Sequence, residues 1–525
     1  MTCRKITYFP AGFFVLVRSL LQEGTDARRR VMAMSQISVN DLSFCYDGSC
    51  DMIFEHVSFQ VDTDWKLGFT GRNGCGKTTF LKLLMGKYSY GGTISSAVKF
   101  EYFPFENADP WEFTGNVVSG ICPAMEEWQI SRELNLLEVR QDVLRRPFGT
   151  LSNGEQTKVL LAALFLKENS FLLLDEPTNH LDARARDTVA GYLRRKKGFI
   201  LVSHDRNFLD LCVDHILAIN RTNIELLNGN FSAWLTHKEK RDAYELERNN
   251  QLKKEVRRLS GTARQKAEWA EQAERSKKGQ RVAGLRPDRG YIGRKAAKMM
   301  KRAKAAEVRT ARAAEEKAKL LKNIERTDKV VVRPLAFHAQ RLAELKDVRI
   351  RYGGKEICGP VGFSVERGER IALVGKNGSG KSSVLKLISG EKIDHGGMLF
   401  TASGLVVSYV PQDPSFLKGP LDAYAEGSGI DRTLFLTLLR KLNFTREQFE
   451  KDMADFSAGQ KKKVVLARSL AERAHLYIWD EPLNYIDVLS RMQIERLICE
   501  CTPTMLFVEH DGAFVQNIAD RFVSL

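Results

Sequence analysis

The chain has 525 residues, with 81 Lys and Arg against 65 Asp and Glu and a formal charge of +16; that length accommodates two to four domains, each able to bury a core. Nine cysteines without a C-x-x-C pair or a framework spacing exclude a disulfide scaffold and suit a reducing cytosol, and no apolar run reaches the roughly 18 residues at which a transmembrane helix is expected. The charge is local: residues 231–330 hold 29 basic against 14 acidic side chains, residues 1–34 add +4, and the remainder sums to −3.

Residues 1–34 read as an N-terminal extension. The apolar stretch 9–21 is short, is interrupted by Arg18, and is followed by Arg28, Arg29 and Arg30 without a small-residue cleavage site. That pattern fits an upstream extension, with a miscalled start and a true one at Met32 or Met34, better than a signal peptide.

Residues 35–230 alternate short β-rich runs (KLGFTG, FLLLDEP, FILVSHD) with helical stretches, as expected for an α/β domain with a mostly parallel sheet. Gly71-Arg72-Asn73-Gly74-Cys75-Gly76-Lys77-Thr78 fits the phosphate-binding loop G-x-x-x-x-G-K-[ST]. In such a loop, glycines let backbone N–H groups surround phosphates, the lysine reaches the terminal phosphates, and the hydroxyl holds magnesium. Gly71, Asn73, Gly74, Gly76, Lys77, Thr78 and Thr79 are therefore the first ATP-binding set. Four apolar residues, Phe171 to Leu174, then precede Asp175 and Glu176. A buried strand ending in two carboxylates would deliver Asp175 to Mg2+ and Glu176 to the attacking water.

Residues 231–340 are of different composition, rich in Lys, Arg, Glu and Ala. Leu252, Val256, Leu259 and Ala263 recur at a 3.5-residue period, as do Ile292, Ala296, Met299, Ala303, Ala306, Ala313, Leu320 and Ile324; Gly279, Gly284, Pro287, Gly290 and Gly293 separate the two runs. The pattern predicts a long antiparallel helical hairpin with a narrow seam and a tip near 275–295. Its first arm, about 40 residues, would extend roughly 60 Å; the alternative is a solvated linker. Residues 275–304 carry 12 basic residues and the single acid Asp288, a tip suited to phosphates. Tyr291 and the arginines are suited to stacking on unpaired bases. The candidate RNA contacts are Arg281, Arg286, Arg289, Tyr291, Arg294, Lys295 and Lys298.

Residues 341–525 repeat the first domain 304 to 306 residues later. The second loop supplies Gly375, Asn377, Gly378, Gly380, Lys381, Ser382 and Ser383; the second strand, Leu476 to Trp479, ends in Asp480 and Glu481. A chance loop match does not repeat with its partners in register, so the chain is a tandem duplication with two nucleotide sites.

Leu151-Ser152-Asn153-Gly154-Glu155-Gln156 and Phe456-Ser457-Ala458-Gly459-Gln460 resemble the LSGGQ signature of the ATP-binding cassette (ABC) superfamily, and Ser203-His204-Asp205 and Glu509-His510-Asp511 resemble its switch histidine. The resemblance covers 35–230 and 341–525. It implies two ABC-type P-loop ATPase domains pairing head to tail within a monomer, with Lys77 facing Ser457 and Lys381 facing Ser152. It adds Ser152, Gly154, Glu155, Ser457, Gly459 and Gln460 to the ATP sites and His204 and His510 to the catalytic groups. It implies that Tyr46 and Tyr352 stack on adenine. Tyr409-Val410-Pro411-Gln412 resembles the Q-loop, making Gln412 a magnesium ligand, whereas the first copy reads Tyr102-Phe103-Pro104-Phe105; Phe105 cannot ligate a metal, so the sites are expected to be unequal.

Two cassettes on one chain, joined by a basic hairpin, resemble the ABC-F group. Tyr46-Asp47-Gly48-Ser49, VSFQVDTDWKLGFTGRNG, EYFPFE, the KAAKMMKR stretch at Lys295–Arg302 and WDEPLNYID are most similar to its Lsa-type antibiotic-resistance members. That resemblance implies a cytoplasmic, ribosome-associated ATPase acting without a membrane. Its ATP-bound form would enter the tRNA exit site, approach large-subunit rRNA and tRNA, and displace lincosamides, streptogramin A compounds or pleuromutilins from the peptidyl-transferase centre. The alternatives are a housekeeping ABC-F factor for stalled ribosomes and the ATPase subunit of a drug exporter.

Overall fold

The structure is a computed structural model that describes residues 36–46, 52–105, 109–179, 181–219, 224–275, 289–319, 332–376 and 378–525. The extension 1–34, Asn377, Arg281 and Arg286 lie outside them. The described residues up to 231 and from 332 onward belong to one compact unit and those between 232 and 319 to a second.

In the first cassette, β1 (Gln36–Phe44) pairs antiparallel with β2 (Phe54–Asp62) and β4 (Gly91–Ser95) in a three-stranded sheet. The main sheet runs β5-β6-β7-β3-β8-β9, built from β3 (Lys66–Gly71), β5 (Lys99–Phe103), β6 (Ser170–Asp175), β7 (Phe199–Val202), β8 (His215–Ile219) and β9 (Ile224–Asn228). Only its β8–β9 pair is antiparallel. Phe171 to Leu174 are all buried, because a central parallel strand is covered on both faces and must be apolar at consecutive positions. Helix α1 (Lys77–Leu84) follows the phosphate loop after β3. The helical part consists of α2 (Thr114–Ile121), α3 (Glu127–Leu136) and α4 (Asn153–Leu164). Helix α5 (Ala183–Leu193) follows β6, and α6 (Arg206–Cys212) follows β7.

The second unit contains most of α7 (Phe231–Arg275) and all of α8 (Arg289–Lys319). Of the predicted seam, Leu252, Ala303 and Ala306 are buried and Val256 and Met299 half-buried. Arg294, Lys295 and Lys298 are exposed on α8, while Arg289 and Tyr291 lie in its first turn.

The second cassette repeats the plan. Strands β10 (Arg341–Tyr352), β11 (Lys355–Glu366) and β13 (His395–Thr401) form the antiparallel sheet β11-β10-β13. Strands β12 (Arg370–Val374), β14 (Val407–Val410), β15 (Leu476–Asp480), β16 (Met505–Val508) and β17 (Arg521–Ser524) form the parallel sheet β14-β15-β16-β12-β17. Leu476 and Ile478 of β15 enter one core cluster, Tyr477 and Trp479 the other, the alternation expected of a strand between two layers. Helix α9 (Lys381–Ile388) follows β12. Helices α10 (Leu421–Gly427), α11 (Arg432–Lys441), α12 (Arg446–Glu450) and α13 (Ala458–Ala471) lie between β14 and β15. Helix α14 (Val488–Cys501) follows β15, and α15 (Gly512–Ile518) follows β16. In both cassettes the loops after the phosphate-loop strand, the Asp-Glu strand and the histidine strand leave the same carboxyl edge of the sheet, where open parallel sheets bind ligands.

Candidate functional site

The phosphate loops depend on left-handed glycines. Gly76 and Gly380 cap α1 and α9 at φ 96° and 91°. A Cβ there would meet Ile53 Cγ2 at 2.6 Å or Cys358 Cβ at 2.8 Å, so both conformation and space demand glycine. Lys77 Nζ donates to the carbonyls of Gly71 (2.8 Å) and Arg72 (2.9 Å), and Lys381 Nζ to those of Gly375 (2.9 Å) and Lys376 (2.8 Å). Each ammonium is thereby curled against its own loop. Thr78 Oγ1 donates to Asp175 at 2.8 Å, and Ser382 Oγ to Asp480 at 3.0 Å. Each site thus pairs a hydroxyl with a carboxylate, the hard oxygen donors Mg2+ takes alongside phosphates.

The two glutamates stand in different surroundings. Both take left-handed backbone, Glu176 at φ 51° and Glu481 at φ 44°. Gln412 Nε2 and Asn484 Nδ2 donate to Glu481 at 2.8 and 2.6 Å, and His510 Nε2 lies 3.6 Å from its other oxygen. Burial works to raise the Glu481 carboxyl, but the contacts from His510, Gln412 and Asn484 outweigh it and bring it to about 2. Glu176 faces His204 Nε2 at 3.4 Å, and its Oε1 is buried without a hydrogen-bond partner among the described residues. Burial, and then the charge of Asp175, push it up to about 8. Burial, with Lys77 and Arg491 nearby, holds His204 well below its usual range.

The signature motifs begin helices with capping boxes. Ser152 caps α4 and pairs with Glu155; Ser457 caps α13 and pairs with Gln460. Ser followed three residues later by Glu or Gln supplies the two side chains such a box needs. Both helix starts sit across the cassette interface. A cavity of about 940 Å³ is lined by Gly378, Gly380, Lys381, Ser382, Ser383, Gln412, Glu481 and His510 from the second cassette and Ser152, Gly154 and Glu155 from the first. On the other side, a cavity of about 390 Å³ holds Tyr46, Asn73, Gly74, Gly76, Lys77, Thr78, Thr79, Asp175, Glu176 and His204. Beside it, Asn73, Gly74, Glu176 and His204 also line a cavity of about 360 Å³ with Ser457 and Gly459. Asn73 Nδ2 donates to the carbonyl of Tyr485 at 2.5 Å, closing the phosphate loop of one cassette on the other.

The structure does not bring every expected residue to these cavities. Tyr46 lines the 390 Å³ cavity and shares a 2.7 Å hydrogen bond with Thr79. Tyr352 instead sits exposed at the β10–β11 turn, in register with Lys355, and Ile357 lines the 940 Å³ cavity. Gln460 accepts from the Ser457 backbone, so its side chain is engaged in the cap.

Several residues at the interface were not anticipated. Arg186 Nη1 donates to Asp205 (3.2 Å) and, across the interface, to the carbonyl of His510 (2.8 Å). Arg491 donates to Asp511 at 3.1 Å and lines the cavity with Glu176 and His204. Arg206 bonds Glu495 at 2.6 Å and lies 3.9 Å from Asp511. Arg186 and Arg491 stand four residues after Asp182 and Asp487 in the two copies, a duplication signal that was available in the sequence.

Two phosphate-loop sites, each facing the other half's signature helix, define a tandem ABC-type ATPase. Residues 54–179 and 358–484 match the ABC transporter family. The chain is an ATP hydrolase of the ABC-F type. It is 28% identical over 487 residues to the ribosome protection protein VmlR of Bacillus subtilis strain 168, covering 90% of this chain and 84% of that protein. It is 27% identical over 510 residues to the ATP-binding protein Uup of Caulobacter vibrioides, covering 95% and 78%. The fold is similar to that of archaeal ribosome recycling factor aABCE1 in its crystal structure with the ribosomal stalk protein aP1: TM-score 0.60, 19% identity, 92% of this chain and 87% of that one. No described helix is long and apolar enough to cross a membrane.

Proposed function

We propose that this chain binds the ribosome in its ATP state, at the tRNA exit site, and protects the peptidyl-transferase centre by displacing lincosamide, streptogramin A or pleuromutilin drugs. The observation that carries the reading is the closed cassette pair with two composite sites in a chain whose basic charge is concentrated in its helical insert. The relative named a ribosome protection protein supports it over most of the chain.

In this reading Lys77 and Lys381 leave their loop carbonyls for the terminal phosphates of ATP. Thr78 with Asp175, and Ser382 with Asp480 and Gln412, hold Mg2+, which supplies charge neutralisation at the phosphates. Glu176 and Glu481 orient water, and His204 and His510 stand beside them. Tyr46 packs on adenine at the first site; Ile357 takes that place at the second. The helix starts at Ser152 and Ser457 offer N–H groups to the phosphates of the opposite cassette. ATP binding holds the pair closed on the ribosome, and hydrolysis releases it. Arg294, Lys295 and Lys298, with Arg281, Arg286, Arg289 and Tyr291, are the proposed RNA contacts.

Replacing both Glu176 and Glu481 by Gln preserves shape and removes the water-orienting carboxylates. The double variant should accumulate on ribosomes with ATP in sedimentation. Failure to accumulate removes the ribosome-binding mechanism. A panel of minimum inhibitory concentrations in a sensitive host tests the drug-protection reading; unchanged values for all three drug classes refute it in favour of a housekeeping factor.

A further inference from the structure

The second signature helix carries a buried lysine that the chemistry above does not use. Lys462 lies five residues beyond Ser457 on α13 and has no exposed surface. Its ammonium donates to three backbone carbonyls: Pro411 at 2.8 Å, Gln412 at 3.0 Å and Asp480 at 3.4 Å. A lysine is almost never this buried unless its donors are matched. Here the acceptors belong to the loop bearing Gln412 and the strand end bearing Glu481. Gln412 then donates to Glu481 at 2.8 Å.

One helix therefore spans two sites. Its start, Ser457 and Gly459, lines the first site with Asn73; about 7.5 Å further along its axis, at 1.5 Å per residue, Lys462 grips the segments that position Glu481 at the second. The first cassette has no equivalent. Thr157 of α4 stands where Lys462 does, with one hydroxyl and no ammonium, and Phe105 stands where Gln412 does.

We propose that Lys462 is a positioning residue that makes hydrolysis at the second site depend on occupancy of the first, with no counterpart in the opposite direction. Nucleotide drawn against Ser457 shifts the start of a rigid helix, and Lys462 carries that shift to Gln412 and Glu481. Coupling of binding is necessarily reciprocal, but coupling to a catalytic rate is not. The inference rests on the reading of Glu481 as the hydrolytic residue of the second site.

The test measures steady-state ATPase of the full chain in two backgrounds, Glu176→Gln (second site active) and Glu481→Gln (first site active). Lys462→Met should lower kcat about tenfold or more in the first background with KM for ATP held within about twofold, a loss confined to the transition state. In the Glu481→Gln background it should change kcat by less than about twofold. Lys462→Gln, which keeps N–H donors for the carbonyls, should recover part of the loss, and carries the same comparison if the methionine variant does not fold. In the Glu176→Gln background, adding Lys77→Ala should lower second-site turnover when Lys462 is present and have little further effect with Lys462→Met, the non-additivity expected of one pathway. Equal losses in both backgrounds, no loss in either, or additive effects with Lys77→Ala would overturn the proposal. An inactive Glu176→Gln protein would instead remove the underlying assignment of the second site, and the inference with it.

Discussion

Replacing Gly459 by Ala tests whether the contact between the cassettes is as tight as the structure makes it. A Cβ at Gly459 would lie 2.5 Å from the backbone oxygen of Tyr485 and 3.2 Å from Asn73 Nδ2. The first obstacle is main chain and cannot rotate away, so either α13 or the Tyr485 loop must withdraw. Forcing a methyl group into a packed site costs about 1–3 kcal/mol, which raises local opening about 5- to 150-fold. Amide hydrogen exchange on peptides covering residues 70–78 and 482–488, followed without nucleotide, reads that opening directly. The matching change in the other signature is the control: a Cβ at Gly154 meets only Leu181 Cδ2, at 3.6 Å, an ordinary contact. Gly154→Ala, which faces the second site, should therefore leave exchange unchanged at that site, read on peptides covering residues 378–383. Unaltered exchange in Gly459→Ala, or an equal rise in both variants, would refute the reasoning.

At the chemistry, Glu481→Gln should lower turnover of the second site by about a hundredfold or more. Glu176, pushed up to about 8, gains its negative charge as pH rises through that value. Turnover of a Glu481→Gln protein should then climb between about pH 7 and 9, while a Glu176→Gln protein, relying on Glu481 at about 2, should show no such rise; matching profiles would contradict the difference in environment. Arg206→Ala leaves Glu495 without the 2.6 Å partner it has across the interface and should cost about 3 kcal/mol of stability; an unchanged urea midpoint would count against this. Deleting residues 275–295 should preserve ATPase activity and abolish drug protection, so full protection at normal protein level would make the insert a passive linker.

Most of the cassette chemistry was legible because it is local. A phosphate loop, a strand ending in Asp-Glu and a signature motif each need particular residues within a few positions, and the duplication repeated all three in register. The inequality of the sites was visible in Phe105 against Gln412, and the structure adds its electrostatic consequence at Glu176 and Glu481. What was not legible depends on residues far apart in sequence. Lys462 is one lysine among many until its carbonyl partners around Gln412 and Asp480 are in view. Arg206 meets Glu495 only because the cassettes pair. Tyr352 sits at an exposed turn, and it is Ile357 that lines the cavity, a placement set by the β10–β11 register. The antiparallel hairpin remains an expectation, since its tip includes residues outside those described.

The left-handed backbone at Glu176 and Glu481 carries an implication for engineering. A non-glycine residue held at such angles costs of order 1–3 kcal/mol, and glycine adopts them without that penalty. Selecting variants of this chain for heat resistance alone should therefore enrich Glu176→Gly, which also removes a buried carboxyl oxygen without a hydrogen-bond partner among the described residues, whereas at Glu481 the loss of the Gln412, Asn484 and His510 contacts offsets the gain. Any thermostabilised version needs a simultaneous screen for hydrolysis, because at Glu176 durability and the proposed catalytic role compete for one position.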